Sequence, residues 1–236
     1  MRRTFEDART WSETGTELIL GVVGGWGEED FLAPSGLPGW TRKHVVAHVA
    51  ANADALGNLV RWAATGEKTP MYSSMEQRDA DIEAGSVKPA AELSAWLTES
   101  ADRLAAGAAA LSAGQWNAEV VTAQGRTVPA TEILWMRARE VCVHAVDLAA
   151  GVTFADLPAG FLTALADDVA AKRGNAPGPA VVLTATDTGD RWELPGEGGP
   201  TAVTGPLAQV AAYLAGRPHV LTAADGSPAP ALPAWL

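Results

Sequence analysis

The stretch Trp135-Met136-Arg137-Ala138-Arg139-Glu140-Val141-Cys142-Val143-His144-Ala145-Val146-Asp147-Leu148 constrains this chain more than any other. Written as a helix, it sets Glu140 and His144 four residues apart, one above the other on a single face. A carboxylate oxygen and an imidazole nitrogen at that spacing reach one small cation. Cys142, the only cysteine, projects about 200° away from Glu140 around the helix and is a poor third ligand. A plainer reading stays open beside the metal: Glu140 pairs with an arginine and His144 is a core histidine whose nitrogens are satisfied, because such spacings arise easily in helices. Asp147 falls near the helix C-terminus, where the dipole disfavours a carboxylate. It is either an acceptor for an imidazole N–H or an exposed surface aspartate.

A second helix is predicted from an N-cap at Thr41 to about Thr65, with Gly66 as its stop. Val45, Val49, Leu56, Leu59 and Val60 form its apolar stripe, and Lys43, Asp54 and Arg61 lie opposite. His48 projects inside the edge of the stripe, and His44 about 40° further toward the rim. A histidine facing a core needs a partner for its ring: a backbone carbonyl, a carboxylate or a metal. Two more helices are expected, over residues 4–26 and over 89–111 with Pro89 at the start, while 67–88 reads as a long polar loop with room for a short helix. After a turn at Gly125, Pro129 leads into the helix that carries Glu140 and His144 and ends at Gly151. Four such helices make a bundle, and bundles build metal sites from core-facing residues on different helices. His48 with Glu140 and His144 fits that scheme. Two imidazoles and one carboxylate leave a fourth position open, the pattern of a catalytic zinc rather than a structural one.

From about Phe154 the pattern changes to helix 158–173, a Gly/Pro patch (Gly174, Pro177, Gly178, Pro179), β-type runs at 181–186, 191–194 and 201–204, and a helix from Pro206 to Gly216. The fold class is therefore α+β in two domains, a helical bundle over 1–152 and a smaller α/β domain over 153–236. Arg217 closes the last helix and reads as a C-cap charge; Ser227–Pro233 reads as extended. A net charge of -11 argues against a nucleic-acid partner. A single cysteine precludes an intrachain disulfide and fits a reducing compartment. No apolar run follows Met1-Arg2-Arg3 as in a signal peptide, and the alanine-rich run 104–113 is too short for a bilayer, so a cytoplasmic protein without membrane contact is expected.

Several segments together carry a resemblance: Gly39-Trp40-Thr41-Arg42 through His44 and His48, Thr122–Glu132, Trp135–Leu148, Tyr213–Arg217 and the terminal Trp235-Leu236. They resemble the mycothiol-dependent maleylpyruvate isomerases, closely over the first 150 residues and more weakly beyond. The resemblance implies a DinB-like four-helix bundle followed by a sterol-carrier-like α/β domain. It implies a divalent metal, zinc above others, on His48, Glu140 and His144, and an active-site arginine matching Arg217 that reaches into a cleft between the domains and holds a substrate or cofactor carboxylate. The implied reaction is cis–trans isomerisation of maleylpyruvate to fumarylpyruvate in gentisate degradation, with mycothiol as cofactor: a thiolate adds to the cis double bond, the resulting single bond rotates, and expulsion restores a trans double bond. Two rivals stand beside it. A mycothiol S-transferase would stop after addition, and a metal- or ligand-binding module would not turn over, although the open coordination position and Arg217 weigh against the latter.

Overall fold

At the start of the chain the Thr4 hydroxyl accepts the Asp7 N–H (3.1 Å) and the Asp7 carboxylate accepts the Thr4 N–H (2.8 Å), a reciprocal cap that launches α1 (Phe5–Val23). Ala8, Ser12, Gly15, Ile19 and Val23 make its buried stripe, at the three- and four-residue spacing of one helix face. The helix stops before Trp26 because Gly24-Gly25 intervenes, Gly25 taking the left-handed φ of 86°. The computed structural model describes residues 3–173 and 177–233; Gly174 of the Gly/Pro patch and the terminal Trp235-Leu236 lie outside them.

The segment Thr4–Val152 forms one compact unit and the chain from Thr153 onward another. In the first, α2 (Glu28–Leu32) is followed by α3 (Arg42–Thr65), α4 (Met75–Ser86), α5 (Ala90–Ala109) and α6 (Ala113–Trp116). A hairpin of β1 (Glu119–Val121) and β2 (Thr127–Pro129) then turns at Gly125 and leads into α7 (Glu132–Asp147). The expected α3 is found between Thr41 and Gly66. It is buried on nearly all sides because α4, α5 and α7 pack around it, and α7 also packs along α1. Two expectations are corrected. Residues 67–88 hold a full three-turn helix, α4, rather than mainly loop: the Ser74 hydroxyl caps the Gln77 N–H (3.1 Å), and packing on α3 stabilises a helix whose one large buried apolar residue is Ile82. Pro129 ends a strand rather than entering a helix, since pairing of β2 with β1 continues through it.

The second unit opens with a 3-10 turn at Phe154–Asp156 and α8 (Ala159–Arg173). Its sheet has the order β4-β3-β5, with β3 (Pro179–Ala185) antiparallel to β4 (Arg191–Leu194) and parallel to β5 (Glu197–Gly205). The last helix, α9 (Leu207–Leu214), packs against α8, β3 and β5. Beyond it the chain turns at Asp225-Gly226, where Thr222 bridges Pro228. Among the described residues no helix is long and apolar enough to cross a membrane.

Candidate metal centre

Where α3 crosses α7, one buried imidazole from α3 meets a carboxylate and an imidazole from α7. His48 Nε2 lies 2.9 Å from Glu140 Oε2, and His144 Nε2 lies 3.4 Å from the same oxygen. The two imidazole rings meet edge to face with centroids 4.7 Å apart. One ligand atom from each residue falls within 4.8 Å of the other two. All three side chains are largely shielded, at 9%, 20% and 13% exposure for His48, Glu140 and His144. An isolated charge could not be kept there at low cost.

The electrostatics are those of a shared carboxylate. Burial works against ionisation of Glu140, yet hydrogen bonds from His144 and His48, reinforced by their charges, hold it well below the usual carboxylate range. Burial likewise opposes a proton on His144, but hydrogen bonds to Asp147 and Glu140 outweigh it and push the imidazole up to about 9. His48 goes the other way: burial lowers it, Glu140 resists, and the charges of His144 and Arg78 lower it further. His144, the more basic of the two imidazoles, is therefore the one that carries the extra proton beside Glu140.

The shell behind the cluster separates the readings that periodicity left open. Asp147 is 3% exposed and its Oδ2 lies 2.8 Å from His144 Nδ1, so it is the imidazole's acceptor and not a surface aspartate. That contact leaves Nε2 turned toward Glu140, as a metal-ligating histidine requires. Glu140 bonds both histidines rather than an arginine. Two imidazole nitrogens and one carboxylate oxygen, converging and buried with a carboxylate behind one ring, fit a divalent cation by chemistry and by spacing.

Cys142 faces the other way, onto α1, where its thiol approaches the Trp11 carbonyl at 3.7 Å; burial pushes it up to about 12. His44 stays at the rim and turns back on its own helix start, its Nδ1 accepting the Thr41 N–H at 3.2 Å. Arg217 belongs to the second unit. There its N–H donates to the Ala212 carbonyl (2.9 Å) and its Nη1 to the Ala215 carbonyl (2.8 Å), the contacts of a helix C-cap.

Sequence reasoning missed several neighbours. Arg78 on α4 brings Nη2 to 3.3 Å from His48 Nδ1; since a guanidinium only donates, this contact puts the His48 proton on Nε2. The Tyr72 hydroxyl hydrogen-bonds with Arg78 and Asn52, and burial next to Glu140 raises its pKa, so it stays protonated. The Trp40 ring stands 5.8 Å from His48. Arg137, one turn before Glu140, is 2% exposed; its Nη1 donates to the Val49 carbonyl (2.8 Å) and Asn52 Oδ1 (3.2 Å).

Residues 13–149, more than half of the chain, match the family model described as the mycothiol maleylpyruvate isomerase N-terminal domain. Two crystal structures are similar over nearly the whole length. One is of the mycothiol-dependent maleylpyruvate isomerase (39% identity, TM-score 0.92) and one of a histidine-to-alanine mutant of it (39% identity, TM-score 0.93). Each comparison covers 99% of this chain and 98% of the other. No curated protein matches the chain at a significant level.

Proposed function

This chain belongs to the mycothiol maleylpyruvate isomerase family, and from that premise we propose that it converts maleylpyruvate to fumarylpyruvate with mycothiol at a divalent metal centre on His48, Glu140 and His144. The observation that carries the metal part is the convergence of those three side chains with Asp147 fixing the His144 tautomer. Two uncharged imidazoles and a carboxylate leave one positive charge uncompensated when a divalent ion is bound, and three ligands leave a position for a thiol or a substrate oxygen.

A cation bound there would lower the pKa of a thiol or polarise a carbonyl oxygen. Mycothiol would supply the thiolate whose addition makes the cis double bond single and whose expulsion restores it as trans. The chain's own residues do the rest. Cys142 is excluded as the nucleophile by its burial against α1 and its raised pKa. The Trp40 ring lies beside His48, and the Tyr72 hydroxyl remains a proton donor beside Glu140. Arg217, carried over from the family resemblance, holds a carboxylate by a bidentate pair. The same resemblance supports reading the first unit as a DinB-like four-helix bundle and the second as a sterol-carrier-like α/β domain, with zinc as the metal and the cytoplasm, where a reduced thiol cofactor persists, as the compartment.

The test is turnover of maleylpyruvate with mycothiol, with and without a chelator. Isomerisation that needs mycothiol, disappears with the chelator and returns with zinc is the expected result. Accumulation of a stable thiol adduct would replace the isomerase with a transferase. His48→Ala should bind no stoichiometric zinc; a full zinc complement in that variant would discard the ligand set.

A further inference from the structure

Arg78 stands against the far side of the His48 ring from Glu140, held from α4, with Nη2 3.3 Å from Nδ1. Its Nη1 bonds the neighbouring Asp79 (2.7 Å), whose side chain is 66% exposed and so screened by water. The Arg78 side chain is itself 24% exposed, shielded over most of its surface yet open to solvent in part. Arg137, the other arginine beside the cluster, cannot play this part: it is fully buried and spends Nη1 on Val49 and Asn52.

The contact between Arg78 and His48 belongs to one tautomer only. It requires a lone pair on Nδ1, which leaves the proton on Nε2, facing Glu140. An imidazole that gives Nε2 to a cation keeps its proton on Nδ1 instead. Nδ1–H and the guanidinium are then both donors, and the hydrogen bond between them is lost. Glu140 is at that point committed to the cation, and Asp79 already occupies Nη1. The guanidinium then keeps Asp79 and the Tyr72 hydroxyl but loses the acceptor it had on His48, and an anionic oxygen from solution is the partner that replaces that hydrogen bond.

We propose that Arg78 binds a carboxylate of the substrate in the metal-loaded protein, released for that role from the Nδ1 of His48 with which it pairs when the metal is absent. The inference rests on the isomerase reading, whose substrate carries a carboxylate at each end. It adds a binding residue from α4, a segment that contributes none of the proposed metal ligands.

The experiment compares zinc-loaded full-length wild type, Arg78→Ala and Arg78→Lys. Three quantities are read: zinc per chain, the Kd for glutarate (a saturated dicarboxylate that cannot accept a thiol), and KM for maleylpyruvate. Arg78→Ala should keep one zinc per chain with affinity no weaker than wild type, since no hydrogen bond need be broken on loading. Its glutarate Kd and its KM should rise about 10- to 100-fold, the loss of one charge-assisted hydrogen bond, and Arg78→Lys should recover part. Zinc retained with glutarate affinity and KM within twofold of wild type would overturn the proposal. Loss of zinc from Arg78→Ala would also overturn it, by making Arg78 a prop for His48. Wild type that binds zinc and glutarate without isomerising maleylpyruvate refutes the isomerase reading alone, and the glutarate comparison still decides the role of Arg78.

Discussion

Asp147→Asn isolates the contribution of the residue behind the metal centre, because it changes charge with little change in shape. The Asp147 backbone carbonyl accepts the Gly36 N–H at 2.7 Å, a contact that the substitution leaves in place. Asn can still offer Oδ1 to His144 Nδ1, 2.8 Å away in the native arrangement, so the ring should keep its orientation. What disappears is a buried negative charge that makes His144 a stronger base and a stronger ligand. Losing such a partner weakens a metal site about 10- to 100-fold, which is roughly 1.4–2.8 kcal/mol of binding free energy. The metal-free protein supplies an independent readout. His144 sits at about 9 when folded against an ordinary 6.5, and Asp147 is foremost among the groups that raise it. A raised pKa contributes stability that is complete below the unfolded value and is lost as pH rises through the folded one. In Asp147→Asn that loss should be complete at lower pH, so the difference in Tm between wild type and variant should shrink as pH climbs toward 9 and level off above it. Zinc affinity is measured by competition with a chromophoric chelator, and Tm by calorimetry on metal-free protein across pH. Zinc affinity within twofold of wild type, with an unchanged Tm–pH profile, would refute the assignment of Asp147 as the partner that tunes His144.

The same titration predicts the behaviour of wild type. Zinc must displace the His144 proton, so its apparent affinity should rise about tenfold per pH unit from neutrality to about 9 and then flatten, provided the chelator's own titration is corrected for; a flat profile would mean that His144 is not a ligand. Cys142→Ala should retain mycothiol-dependent turnover while losing about 1–2 kcal/mol of stability at the α1–α7 contact, and loss of turnover in a folded variant would return the thiol to the chemistry. At Gly15, an added Cβ would stand 2.5 Å from Val141 Cγ2 and 2.6 Å from Cys142 Sγ. Gly15→Ala should therefore cost about 1–3 kcal/mol by forcing the two helices apart. Removing the sulfur in Gly15→Ala/Cys142→Ala should recover part of that loss in a double-mutant cycle, which checks that both groups share one contact.

The three proposed ligands were legible because helical period alone decides which residues share a face. Glu140 and His144 had to stack, and His48 had to project beside Val45 and Val49. Nothing in that pattern could bring α3 against α7 at the level of His48; that depends on tertiary packing. The neighbours were hidden for another reason. Arg78 lies on a helix with so few apolar positions that periodicity gives no signal, and Tyr72 lies in the loop before it. A local sign was available, since Ser74 and Gln77 have the spacing of a capping box, and Ser74 does cap α4. Asp147 had two readings that only burial could separate.

The end of α7 shows why the site's surroundings resist sequence rules and still hold together. A carboxylate in the last turn opposes the helix dipole, and Ala149 just beyond takes a left-handed φ of 51°, which a side chain disfavours. Both departures converge on a single compensating residue. Arg42, in the first turn of α3, donates Nε to the Leu148 carbonyl and Nη2 to the Ala149 carbonyl, each at 2.8 Å. Its charge lies where the dipole needs a cation, and its two bonds satisfy carbonyls that a glycine cap would otherwise serve. The same guanidinium ties the start of α3 to the end of α7, six residues before His48 on one helix and four to five after His144 on the other. Local propensity is given up at Asp147 and Ala149, and the return is a cross-link between the two helices that carry the histidines.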